Sequence, residues 1–339
     1  MDRPVTAAEP LPTAQVRIDH ESAVHLAATV ARDTALRCGL EGARPDSAAA
    51  VASELASNLH KHARDGAVYV QPLTLGQGLE IVAVDRGPGM ADLRQCLADG
   101  YTTTGTLGTG LGAVRRVADD FVIRSRTGYG TAASARIAAT ARAAGTEAAG
   151  TGAVCLPADG ETECGDACAV RDTDSGRTAV VVDGLGHGEP AARAARTALR
   201  AFDSACAAPL PDIMRTLHRA LRHTRGAAVG LLRLLPGRAE YCGVGNIRMC
   251  LLSADAPRQR MESRPGVVGW NLPTPQVRSA PVEAGQLVVV HSDGIESRWA
   301  HSPPPALLSL PAELLPAALA HRHRRSRDDA TALTLTVPR

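Results

Sequence analysis

Two sets of polar residues in this 339-residue sequence have the spacing of reactive sites. In the first half, Glu54 and Asn58 stand four apart, which puts both side chains on one helix face. The carboxylate can take a proton from an attacking hydroxyl, and the amide oxygen can ligate Mg²⁺. Asp85-Arg86-Gly87-Pro88-Gly89-Met90 follows an apolar run, setting a carboxylate at a strand end beside glycines that let the backbone approach a ligand. That carboxylate can accept a hydrogen bond from an adenine amino group. Gly105-Thr106-Leu107-Gly108-Thr109-Gly110-Leu111-Gly112 then runs into a helical stretch, where free N–H groups suit phosphate.

The second half carries Asp166, Asp183, Asp293 and Asp328, each at a strand end or turn. Hard divalent cations want oxygen ligands, and two cations bridged by a carboxylate can acidify water and clamp a phosphoryl group. A single Asp-Gly is ordinarily a turn. Four such points in series outweigh that reading, because two follow apolar strands directly (Val180-Val181-Val182-Asp183 and Val288-Val289-Val290-His291-Ser292-Asp293). Taken alone, Glu54 with Asn58 is an ordinary solvated helix face, and one glycine loop is weak evidence. Their order in the chain is what gives them weight.

The elements that must position these residues can be read from periodicity. Val16–Ile18, Val68–Val70, Leu79–Val84, Phe121–Ile123 and Ala132–Ile137 read as strands, with helices at Glu21–Cys38, Asp46–Ala63 and Gly112–Ala118. This mixture predicts a two-layer α/β sandwich over 14–138. Residues 1–13 are Pro- and Ala-rich and expected to be disordered, and 139–152 read as an Ala/Gly/Thr linker with few packing contacts across it. Over 153–339, strands at Thr178–Val182, Ala227–Arg233, Arg248–Leu252, Gln286–His291 and Thr331–Val337 alternate with helices near 189–206 and 209–224, predicting a strand-rich sandwich flanked by helices. The chain is thus read as α/β with two domains.

Two Trp, four Tyr and two Phe leave the cores to be filled by Ala, Leu and Val. A formal net charge of +2 argues against a broad nucleic-acid footprint. No apolar run of membrane-spanning length and no signal-peptide pattern is present, so a cytoplasmic protein without membrane contact is expected. The eight cysteines are scattered; Cys164 and Cys168 lack the further ligands of a zinc site, and reduced thiols are expected. The run His321-Arg322-His323-Arg324-Arg325-Ser326-Arg327 reads as a solvated helix end, with guidance of an acidic phosphoprotein as the alternative.

In its first half the chain resembles the GHKL (Bergerat-fold) ATPases and, through Ala52-Ser53-Glu54-Leu55-Ala56-Ser57-Asn58, Asp99-Gly100-Tyr101-Thr102-Thr103 and Gly112-Ala113-Val114-Arg115-Arg116, the RsbT-like serine/threonine kinases. The resemblance implies ATP and Mg²⁺ as cofactors, Glu54 as general base, Asn58 as Mg²⁺ ligand and Asp85 as adenine contact. Gly87, Gly89, Gly108, Thr109, Gly110, Leu111 and Gly112 would line the nucleotide. The second half resembles the SpoIIE branch of the PPM phosphatases, and the RsbX-like members most, through Cys164-Gly165-Asp166, Asp183-Gly184-Leu185-Gly186, Arg225-Gly226-Ala227, Tyr241–Arg248, His291-Ser292-Asp293-Gly294 and Arg327-Asp328-Asp329-Ala330-Thr331. It implies an α-β-β-α sandwich holding two Mn²⁺ or Mg²⁺. Asp183 would bridge the ions with the Gly184 carbonyl, and Asp166, Asp293 and Asp328 would complete the set. Asp329 ranks below Asp328, and His187 as an acid is a minor reading. Together the resemblances imply a partner-switching regulator that phosphorylates and dephosphorylates STAS-domain (RsbS/RsbR-like) proteins, with a SpoIIE-type phosphatase as a further partner. A first half that only sequesters a partner, with ATP structural, is the rival.

Overall fold

The computed structural model describes residues 11–96, 110–139, 150–174, 176–253 and 257–338. The first part runs β1 (Ala14–Ile18), α1 (Ser22–Arg37), α2 (Arg44–His62), β2 (Gly66–Pro72), β3 (Gly78–Val84), α3 (Leu93–Cys96), α4 (Gly110–Val117), β4 (Asp120–Arg126) and β5 (Gly130–Ala138). Its strands form one antiparallel sheet, ordered β1-β2-β3-β5-β4. Alanines 27, 31 and 35 of α1 and Val51, Leu55 and Leu59 of α2 recur at helical spacing. They pack on Val68, Val70, Ile81 and Ala135 of the sheet.

The second part continues with β6 (Thr151–Leu156), β7 (Asp166–Thr173), β8 (Gly176–Gly184), α5 (Glu189–Ala205), α6 (Leu210–Leu221), β9 (Ala227–Leu235), β10 (Arg238–Val244), β11 (Arg248–Leu252) and β12 (Pro257–Glu262). It ends with β13 (Arg278–Pro281), β14 (Leu287–His291), α7 (Pro305–Leu308), α8 (Leu315–His323) and β15 (Ala330–Thr336). Two antiparallel sheets, β13-β10-β9-β8-β7 and β12-β11-β14-β15-β6, face each other across a core of Val181, Leu232, Met249, Val288 and Leu333. Helices α5 and α6 cover the first sheet through Ala195, Phe202, Ile213 and Leu217. Leu315 and Leu319 of α8 cover the second, against Val154, Val289 and Ala332. This is the expected α-β-β-α layering.

The two parts are not loosely tethered. Side chains alternate across a strand, and in β2 Val68 and Val70 face the helices while Ala67 and Tyr69 face the other way. Ala67 and Tyr69, with Val82, Val84 and Ala132, join the same buried cluster as α7 and α8. The layers therefore run α-β-α-β-β-α, with α7 and α8 shared between the parts. A buried polar network seals the same interface. Glu80 accepts hydrogen bonds from Arg136 Nε (2.8 Å), Ser134 Oγ (2.8 Å) and Gln71 Nε2 (2.9 Å), and Arg136 and Gln71 donate onward to the Thr151 and Ala153 carbonyls.

Four expectations are corrected here. Contacts across the linker are many, because the sheet has two apolar faces. Thr151 and Gly152 already belong to β6, paired with Leu335 and Thr334; residues 140–149 of the expected linker lie outside the described residues. Thr13 is buried and ordered, its hydroxyl donating to Gln71 and its N–H to the Cys155 carbonyl. The basic run is no solvated helix end over its first half. The His321 side chain is 4% exposed, its ring meets Tyr69, and Arg86 donates to its carbonyl at 2.7 Å.

Candidate functional sites

The first site is a cavity of about 510 Å³ between α2, the ends of β3 and β5, and the start of α4. Glu54, Asn58, Asp85, Gly89, Gly110 and Leu111 all line it. On α2 the i, i+4 spacing brings Asn58 Nδ2 to 3.5 Å from Glu54 Oε1, which leaves the amide oxygen free. Asp85 is buried at the end of β3, where Oδ1 accepts the Gly87 N–H (2.6 Å) and Oδ2 the Thr131 N–H (3.2 Å). Burial pushes its pKa up, opposed by those two N–H groups and by the Arg322 charge. Gly89 has φ +73, and a methyl group there would strike the Arg126 carbonyl at 2.4 Å, so the turn after Asp85 requires glycine. Gly87 touches the site only through Asp85, and Gly112 is buried in α4. Gly108 and Thr109, with the 99–103 stretch, lie outside the described residues.

Among the lining residues that the sequence reading passed over, one is charged and reactive. Lys61 sits one helical turn beyond Asn58 on α2 and lines the cavity. It is the only lysine in a chain otherwise supplied with arginine, a signal that was available in the sequence.

The second site gathers the acidic residues at one end of the two facing sheets. Asp166 begins β7 and Asp183 closes the core of β8, directly opposite one another in register. Asp293 follows β14, and Asp328 and Asp329 precede β15, so the other sheet delivers its carboxylates to the same end. Burial, then the charges of Asp293, Asp328 and Asp329, raise the Asp183 pKa to about 7, against a hydrogen bond from Asn246. Burial and Asp183 hold Asp166 well above the usual carboxylate range, and burial with Asp293 raises Asp328. Among the described residues no three His, Cys, Asp or Glu side chains are drawn close enough to hold a cation. The donor set is nonetheless oxygen-only and self-repelling, the chemistry that hard divalent cations relieve.

Three side chains fix the acidic ones. Asn246 Nδ2 donates to Asp183 Oδ2 (2.8 Å), and Ser292 Oγ donates to Asp166 Oδ2 (2.7 Å) while accepting the Thr331 N–H (2.9 Å). Asp329 accepts the Ala158 and Gly165 N–H groups, one on each oxygen (2.8 and 2.9 Å), and so holds the loop that presents Asp166. The Gly184 N–H donates to the Gly165 carbonyl, which joins the two strands just behind the carboxylates. His187 is exposed and paired with Glu161 at 2.8 Å.

Residues 174–338 match the model of the Stage II sporulation protein E (SpoIIE) family, a stretch that includes Asp183, Asp293 and Asp328 but not Asp166. Over 81 residues the chain is 41% identical to the serine/threonine-protein kinase RsbT of Bacillus subtilis (strain 168). That match covers 23% of this chain and 61% of RsbT, so the chain spans about three fifths of the length of that relative. A solved chain from the bacterial stressosome, described as a modular system adapted to control secondary messenger signalling, is 34% identical with a TM-score of 0.50. It covers 54% of this chain and 97% of its own length. RsbX in complex with magnesium is 22% identical with a TM-score of 0.48, covering 55% and 94%. Residues 174–338 are thus similar to the SpoIIE family, in a chain that also contains a stretch similar to RsbT.

Proposed function

We propose that this chain is a bifunctional partner-switching regulator, in which the first part phosphorylates a STAS-domain protein on Ser or Thr with Mg²⁺-ATP and the second part removes that phosphate. The observation that carries the reading is the presence of two separate sites of complementary design, a cavity sized for an organic ligand and a cluster of opposed carboxylates. The RsbT homology, the SpoIIE match and the stressosome likeness support it.

In the first site Asp85 and the Gly89 turn would receive the base of ATP. Asn58 would offer its amide oxygen to Mg²⁺, and the Lys61 ammonium would face the phosphates. Glu54 takes the proton of the substrate hydroxyl as its oxygen bonds the γ-phosphorus and the bond to ADP breaks. Gly108 and Thr109 remain proposed nucleotide contacts with Gly87, Gly110, Leu111 and Gly112. In the second site Asp183 with the Gly184 carbonyl, Asp166, Asp293 and Asp328 would hold two Mn²⁺ or Mg²⁺. Bound cations supply charge neutralisation of the phosphate and a more acidic water. The chain's own contribution is orientation: Asn246 fixes the Asp183 oxygen, Ser292 fixes that of Asp166, and Asp329 pins the loop that leads into Asp166.

The test uses the intact chain and a STAS-domain protein in both phosphorylation states. Asp183→Asn should lose dephosphorylation while keeping ATP-dependent transfer, and EDTA should stop dephosphorylation by the wild type. Dephosphorylation that survives EDTA would refute the metal-dependent reading.

A further inference from the structure

Beside the acidic cluster lies a rim of exposed side chains that neither proposed reaction uses. Trp270 is 68% exposed, whereas the other tryptophan, Trp299, is 2% exposed. An indole held in water is a common anchor at interaction surfaces. This one is held in place: its Nε1 donates to the Thr224 carbonyl at 3.2 Å, and its Cδ1 would stand 3.4 Å from a methyl group added at Gly226. The turn between α6 and β9 therefore fixes the ring. The Gly226 carbonyl in turn accepts the Leu185 N–H at 3.1 Å. Leu185 follows Asp183-Gly184 directly and is 37% exposed. One short chain of contacts thus links Trp270 to the bridging carboxylate.

A cation stands on the same turn. The Arg225 guanidinium lies against Gly186, 3.0 Å from where a methyl group there would sit. Arg222 is exposed on the same turn, and among the described residues neither arginine takes part in an ion pair. Glu161, whose carboxylate reaches the 185–188 turn beside Gly188, is paired with His187 at 2.8 Å. Two uncommitted guanidinium groups next to an apolar platform complement an anionic chain that also carries an apolar side chain.

We propose that Trp270 and Leu185, with Arg225 and Arg222 on the turn beside them, form the docking surface for the protein segment flanking the phosphorylated Ser or Thr. An apolar side chain of that segment packs on the indole, and its negative charge meets the arginines. The assignment rests on the phosphatase reading, because the surface owes its meaning to its place beside the carboxylates.

The experiment compares two substrates, a serine-phosphorylated STAS-domain protein and p-nitrophenyl phosphate, with the full chain and Mn²⁺. Trp270→Ala should raise KM for the phosphoprotein by about tenfold or more, the size of an aromatic anchor's loss, with kcat retained. Its kcat/KM for p-nitrophenyl phosphate should move less than twofold, and Trp270→Phe should recover most of the phosphoprotein KM. Equal losses on both substrates, or no loss on either, would overturn the proposal. A binding arm keeps it separate from the chemistry. In the Asp183→Asn chain the phosphoprotein should quench and blue-shift the exposed indole, an effect absent with Trp270→Phe. If the wild type hydrolyses neither substrate the phosphatase reading fails; a phosphoprotein that leaves the Trp270 emission untouched refutes the docking surface by itself.

Discussion

The cavity in the first part and the carboxylate cluster in the second solve opposite electrostatic problems. In the cavity Glu54 leans on an amide, and Asp85 has both oxygens occupied by main-chain N–H groups. Among the described residues, the charge felt by Asp85 is the opposite one of Arg322. In the cluster Asp183 raises the pKa of Asp166, Asp293, Asp328 and Asp329 raise that of Asp183, and among the described residues Asn246 and Ser292 offer side-chain hydrogen bonds to Asp183 and Asp166. Carboxylates gathered in this way repel one another, a charge that a divalent cation would offset. One pocket is shaped by packing and the other by repulsion, and perturbations should separate them on that basis.

The largest expected effect is on the cavity. Glu54→Ala should keep ATP affinity and lower phosphoryl transfer by about 10²–10⁴, the usual cost of losing a general base, with dephosphorylation unchanged. Transfer at the wild-type rate would leave the first part a binding module. Nucleotide occupancy has its own check: an acyl-phosphate derivative of ATP should acylate Lys61, the single lysine of the sequence, and ATP should compete.

Next in size is the interface both parts share. Arg136→Ala removes one partner of a buried pair whose side chains are 5% and 1% exposed. Leaving Glu80 uncompensated should cost about 3–5 kcal/mol, read as a lower urea midpoint. A single cooperative transition is expected, because the sheet and α8 share one core. Two transitions, or fragments 1–140 and 150–339 each folding unaided, would show that the parts are as independent as the Ala/Gly/Thr stretch suggests.

A smaller change belongs to the cluster. Asn246→Ala frees the Asp183 oxygen and should weaken Mn²⁺ affinity by about 10–100-fold, the range for residues that orient ligands, measured by calorimetry. Unchanged affinity would remove Asn246 from its positioning role.

The smallest effect is a pH slope. His321 sits in the interface, pushed down to about 4 by burial. Around it are Tyr69 (3.3 Å), Asp65 (3.7 Å), Arg86 and Arg322. In the unfolded chain the ring takes a proton near 6.5, whereas in the folded chain it stays neutral until about 4. Stability present above pH 6.5 is therefore lost as pH falls from 6.5 toward 4. Melting temperatures between pH 7 and 4.5 should fall less steeply for His321→Gln than for the wild type. Parallel slopes would place the titration elsewhere.

The placement of the candidate site residues was legible because it is tied to local geometry. Glu54 and Asn58 share a helix face by spacing alone, and Asp183 and Asp293 each close a valine-rich strand whose end the sequence marks. β7 was missed, because Asp166-Ala167-Cys168-Ala169 is poor in β-branched residues. Asn246 and Ser292 stood among the family-like residues, yet nothing local says which carboxylate each one holds.

What the sequence alone determined was the set of candidate side chains and most of the elements that carry them, since helix and strand periodicity act over a few residues. Tertiary structure decided what covers the back of the first sheet. Tyr69 and Val82 alternate with core residues whether their face meets water or another layer, and an alanine-rich pattern marks neither. Only when α8 packs there do His321 and Arg322 leave solvent, Glu80 and Arg136 become a buried pair, and two separate-looking sequences become one stack of layers. The reason is range: burial of a face depends on residues some 250 positions away, and no local pattern records them.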